Sequence, residues 1–79
     1  MAKFSLGNEQ GAIGDFDRAL VIDPQFAMAY LNRGAAKSAL GNKQGAIDDI
    51  SKAAELVRQQ GRMDLYQQVM GIIAQLKGN

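Results

Sequence analysis

Gly41-Asn42-Lys43-Gln44-Gly45-Ala46-Ile47-Asp48-Asp49 restates, with two changes, the earlier stretch Gly7-Asn8-Glu9-Gln10-Gly11-Ala12-Ile13-Gly14-Asp15, at an offset of 34 residues. The same offset carries Ala2-Lys3 onto Ala36-Lys37, Leu6 onto Leu40 and Ala19 onto Ala53. A fixed period of this size marks a chain built from supersecondary units that bury their apolar faces by stacking on one another. The repeat therefore decides the fold, and the remaining features are placed relative to it.

Each unit reads as helix, tight turn, helix. Ala27 to Leu40 carries strong helix formers without a proline, and Gly41 follows as a residue suited to the left-handed end of a helix. Asn42 then offers a side-chain acceptor for the free N–H groups of a helix running from about Lys43 to Gln60. Gly7 and Asn8 predict the same turn and cap in the first unit. The helix they open stops at Asp23-Pro24, because proline disfavours helical geometry in the residue before it. Apolar spacing agrees: Ala12, Phe16, Ala19 and Leu20 share one face, as do Ala46, Ile50, Ala53 and Val57 in the second copy.

These residues resemble the tetratricopeptide repeat family, in which a 34-residue helix-turn-helix unit has small residues at the helix crossing. The resemblance is carried by Tyr30, Gly34, Ala46, Ile50 and Ala53 in the second unit, and by Ala12, Phe16, Ala19 and Pro24 in the first. It covers about residues 1 to 60 and implies an all-α fold, with antiparallel helix-turn-helix repeats stacked as a short right-handed α-solenoid. The chain then forms a single domain: a truncated first repeat over 1–26, a complete repeat over 27–60 and a C-terminal capping helix over 61–79. Two positions depart from the family pattern. Lys37 stands where a large aromatic is usual, and Arg58 where a closing proline is usual, which implies that the helix ending there is extended.

The two ends differ. Residues 61–79 leave the repeat but remain amphipathic, with Leu65, Tyr66, Val69, Met70, Ile73 and Leu76 on one face and Asp64, Gln67, Gln68, Gly71 and Gln75 on the other. Such a helix suits the polar outer cap that repeat arrays need, the alternative being a partner-binding or dimerising helix. At the N-terminal end only Met1 to Leu6 remain of the first unit's first helix, which leaves Ala12, Phe16 and Ala19 without most of their partner surface. The expectation is that upstream repeats were lost or that two chains pair across this face, an isologous dimer or a helix swap being the simplest closed forms.

Composition narrows the function. In 79 residues there is no Cys and no His, and the net charge is +1 from nine basic and eight acidic residues without a basic run. The clustered Lys and Arg of a nucleic-acid binder are therefore missing. No segment approaches the roughly 20 apolar residues of a membrane span, and no stretch near the start resembles a secretory signal, so a cytoplasmic setting is expected. No cofactor or metal is expected, and Met63 and Met70 read as core filler. Asp15 with Asp17, and Asp48 with Asp49, point different ways around a helix, so they read as solvated residues rather than a converging acid–base pair. Gly7, Gly11 and Gly14 fall in a helix and its cap, not in a phosphate-binding strand-to-helix turn.

The expected function is thus a protein–protein interaction scaffold without enzymatic activity. The resemblance places Met28, Leu31, Asn32, Ala35 and Ser38 on the exposed groove side of the second unit's first helix, as candidates to hold a peptide or partner protein. Asn32 leads, since its amide can both donate to and accept from a peptide backbone; the plain alternative is a solvated helix residue. A carboxylate clamp is not expected, because Leu31 and Ala35 carry no charge and Arg33 stands alone. The second expectation is a self-assembly module acting through Ala12, Phe16 and Ala19.

Overall fold

The computed structural model describes residues 6–78, with side chains from residue 9 onward. Four helices follow in order: α1 Leu6–Ile22, α2 Ala27–Ala39, α3 Lys43–Gln59 and α4 Met63–Gly78. Each packs on its neighbour in sequence, α1 on α2, α2 on α3 and α3 on α4. The fold is all-helical and repeat-like, and none of these helices is long and apolar enough to cross a membrane.

The turns follow from a few residues. Gly41 and Gly61 take φ of +87° and +76°, a region where a Cβ is strained, and each ends a helix. At the first, Asn42 N–H donates to the Lys37 carbonyl at 2.8 Å and Gly41 N–H to that of Ser38 at 3.0 Å. At the second, Arg62 N–H reaches the Val57 carbonyl at 2.9 Å and Gly61 N–H that of Arg58 at 3.1 Å. Both are the paired 6→1 and 5→2 closure that satisfies the last carbonyls of a helix. Asn42 caps α3 by accepting from Gly45 N–H at 3.0 Å. A Cβ on residue 45 would lie 2.4 Å from the Asn42 side chain, so the glycine makes room for the cap. At the end of α1, the Asp23 side chain accepts from Gln25 N–H at 3.1 Å and opens the turn through Pro24.

The core belongs to α2, α3 and α4. Ile50 and Ala54 of α3 meet Val69 and Ile73 of α4, with Leu31, Leu65, Tyr66 and Leu76 packed around them. A second cluster joins Ala27, Leu56 and Val57, flanked by Tyr30, Leu65 and Tyr66. Burial of residues such as Ile50, Val57 and Val69 contributes about 1.5–3 kcal/mol apiece. Gly34 sets the distance between α2 and α3: a Cβ there would fall 2.6 Å from Ile50 Cγ1 and 3.1 Å from the Ala46 carbonyl oxygen. Within the described part of α1, Leu20 is the buried residue.

Three expectations are corrected. Gly7 and Asn8 do not make a turn; α1 runs through both from Leu6. At Gly41-Asn42 the chain folds back with the whole of α2 packed on α3. The remnant helix expected over Met1 to Ser5 lies outside the described residues. Second, α3 is not extended by the loss of a proline at Arg58, because Gly61 closes it at Gln59. Third, Met63 and Met70 are exposed rather than core filler, since α4 turns Leu65, Tyr66, Val69 and Ile73 inward instead.

Candidate functional site

A cleft of about 580 Å³ lies between α1 and α2. One wall is Glu9, Ala12 and Phe16 from α1; the other is Asn32, Ala35, Ala36 and Ala39 from α2. Two groups of residues that the sequence assigned to different roles thus converge. Ala12 and Phe16, expected on an open oligomer face, oppose Asn32 and Ala35, expected in a partner groove. Ala19 is half-buried one turn further along α1 and does not line the cleft.

The other groove candidates are placed differently. Met28 is exposed at the start of α2, away from the cleft lining. Leu31 and Ser38 are half-buried instead of exposed, and Leu31 packs on the Ile50, Val69 and Ile73 cluster. Leu31 is taken into the cluster that α3 and α4 build. Asn32 remains exposed at the cleft wall.

Beside the cleft, an ion network ties three helices together. Arg33 of α2 donates Nε to Asp49 Oδ2 and Nη2 to Asp49 Oδ1, both at 2.7 Å, and Nη1 to Asp17 Oδ1 of α1 at 2.7 Å. Lys37 Nζ lies 3.0 Å from Asp49 Oδ2, and the Arg33 guanidinium stacks 5.3 Å from the Tyr30 ring centroid. Asp49 is only 6% exposed, so the expectation that it is solvated is corrected. Burial pushes its carboxyl pKa upward, but the hydrogen bonds from Arg33 and Lys37 outweigh that and hold it below the ordinary carboxylate range. Arg33 is raised above its ordinary value, chiefly by the Asp49 hydrogen bond. The charges compensate, two carboxylates against two cations, and the fork geometry of arginine supplies the best-directed bonds.

This network was missed in the sequence, although a signal was present. Asp49 sits three residues after Ala46 and four before Ala53, on the very stripe that faces α2. A carboxylate on an apolar stripe needs a cation from the facing helix, and Arg33 and Lys37, four apart, are that helix's two cations.

A larger concavity, about 730 Å³, lies between α3 and the end of α4, bounded by Lys43, Gln44, Ile47, Asp48, Ser51 and Lys77. Its polar lining is mostly exposed and contains no buried unpaired polar side chain. The α1–α2 cleft, walled mainly by apolar residues of which several are only partly covered, is the stronger candidate. No protein-family model, curated protein or solved structure matches the chain.

Proposed function

We propose that this protein is an interaction module of tetratricopeptide type, its helices stacked as a short right-handed solenoid, and that it holds a helical or extended segment of a partner in the α1–α2 cleft. The observation that carries the reading is the cleft itself. Ala12 and Phe16 are the repeat copies of Ala46 and Ile50, which are buried in α3, yet in α1 they stand only half-covered beside exposed Asn32 and Ala35. Apolar positions built for a covering helix, left open, form a receptor surface. The chemistry favours binding over catalysis: Asp15, Asp17 and Asp49 are each held by an arginine and do not converge on a pocket.

Selection of short peptides displayed against the immobilised chain tests this. Binders should lose at least tenfold in affinity on Ala35→Glu, which fills the cleft, and be unaffected by Met28→Glu on the same helix. Binders indifferent to Ala35→Glu would remove the cleft from the function. A second reading, self-assembly through the same end, is favoured by Val21 and Ile22, both about 85% exposed at the end of α1. It expects a concentration-dependent dimer in light scattering that Ile22→Glu disrupts.

A further inference from the structure

The α1 wall of the cleft duplicates a surface whose occupant is visible elsewhere in the molecule. On α3, Ala46, Asp49, Ile50 and Ala53 are all buried. The helix over them is α2: Gly34 sits close to Ala46 and Ile50, and Arg33 and Lys37 hold Asp49. On α1 the same positions, 34 residues earlier, are Ala12, Asp15, Phe16 and Ala19. Three of these are half-buried, and Asp15 has an exposed pair with Arg18 at 2.8 Å, a kind of contact that stabilises little and exchanges readily.

We infer that the cleft accepts an amphipathic helix from a partner protein built on the pattern of α2. A small residue would cross over Ala12 and Phe16, with an arginine immediately before it and a lysine three after it, both directed at Asp15. This inference deepens the interaction reading above and rests on it. Phe16 is bulkier than its copy Ile50, so the need for a small residue at the crossing is at least as strong as at Gly34. Charge points the same way. Asp17 is already matched by Arg33, which leaves Glu9, Asp15 and Asp23 against a lone Arg18 along α1 and its end. Glu9 on the cleft wall and Asp15 next to Phe16 in sequence favour a basic helix. A second copy fits less well: it would set one acidic α1 against another, and its own α2 is already held in its core by Gly34, Arg33 and Lys37.

The probe is a stapled helical peptide carrying residues 25–41 of this sequence, the staple on its solvent face so that helix ordering does not limit binding. Fluorescence anisotropy against the full chain should show saturable binding. Changing the peptide's Arg33→Glu and Lys37→Glu should weaken it at least tenfold. The protein variant Asp15→Lys should weaken the basic peptide similarly and restore the charge-reversed one, an exchange that displacement of the protein's own α2 from Asp49 could not produce. Circular dichroism of Asp15→Lys, at an exposed position, should be unchanged. Equal binding of the basic and charge-reversed peptides overturns the partner's chemistry while leaving the cleft as a binding site. If neither peptide binds, the inference fails while the interaction reading still stands or falls with the selected peptides; if binding of both ignores Ala35→Glu, the cleft is not the site and the inference fails with it. A dimer abolished by Ala35→Glu and not competed by the peptide gives the cleft to a second copy and overturns the inference.

Discussion

Helices α1 and α3 are copies of one another in sequence and opposites in environment. Ala46, Ile50, Ala53 and Leu56 of α3 are buried, whereas Ala12, Phe16 and Ala19 of α1 are half-covered. The contrast is largest at their ends, where Leu56 is 4% exposed and its copy Ile22 is 85% exposed. The difference comes from neighbours. Helix α3 packs on both α2 and α4, while among the described residues α1 packs chiefly on α2. A repeat position therefore encodes a capacity for burial, and the number of covering helices decides how much of that capacity is used. The same contrast separates the well-buried core from the surface that we propose a partner covers.

Paired substitutions break or sharpen this comparison. The largest effect is expected at the core pair. Ile50→Ala should cost about 2–5 kcal/mol in urea unfolding, as for a buried aliphatic deletion. Phe16→Ala removes more atoms, yet part of the ring's surface already stays in water, so a loss of less than about 2 kcal/mol is expected. Equal losses would show that α1 is as well covered as α3.

The acidic pair comes next. Asp49→Asn leaves Arg33 and Lys37 without their shared carboxylate and should cost about 3 kcal/mol. Asp15→Asn, at an exposed ion pair, should change stability by about 0.5 kcal/mol or less. Because the folded pKa of Asp49 is depressed below the unfolded value of about 3.9, its contribution is fully present above that pH. As pH falls further, through the depressed folded value, the contribution is lost. The urea midpoint should therefore drop on acidification below about pH 4, and Asp49→Asn should flatten that drop.

A glycine pair should give effects of opposite sign. Gly34→Ala gains helix propensity but drives a Cβ into Ile50 and the Ala46 carbonyl, for a net loss of about 1–2 kcal/mol in the same unfolding assay. Gly11→Ala, whose Cβ would meet nothing within 4 Å, should stabilise by about 0.5–1 kcal/mol. The smallest contrast is at the two asparagines. Asn42→Ala loses the α3 cap, about 1 kcal/mol. Asn8→Ala lies within a continuous helix and should be neutral or stabilising by a few tenths of a kcal/mol. A loss at Asn8 equal to that at Asn42 would mean that α1 breaks in solution where α3 begins.

Much of the fold was legible before any coordinates. The stop at Asp23-Pro24, the glycine end at Gly41 and the Asn42 cap are local devices, each set by the backbone freedom or side-chain acceptor of one residue. Ala46, Ile50, Ala53 and Val57 were read as an inward stripe and are buried, because helical spacing alone fixes which residues share a face. The second glycine stop at Gly61 was equally local but was passed over in favour of the missing proline.

The candidate site was legible in its parts and not in its assembly. Ala12, Phe16, Asn32 and Ala35 could be named from the 34-residue period, but their meeting in one cleft depends on how α1 lies against α2. Leu31 is drawn into the cluster of Ile50, Ala54, Val69 and Ile73, and Asp49 is reached by Arg33 and Lys37 from the facing helix. Gly7-Asn8 and Gly41-Asn42 make the division plain. The sequence by itself determined the repeat, the stripes and those turns where one residue holds the decision. Only the tertiary structure decided whether a given Gly-Asn bends the chain and which copy of a stripe is buried. A helix end is worth about 1 kcal/mol locally, whereas the packing of a neighbouring helix supplies several.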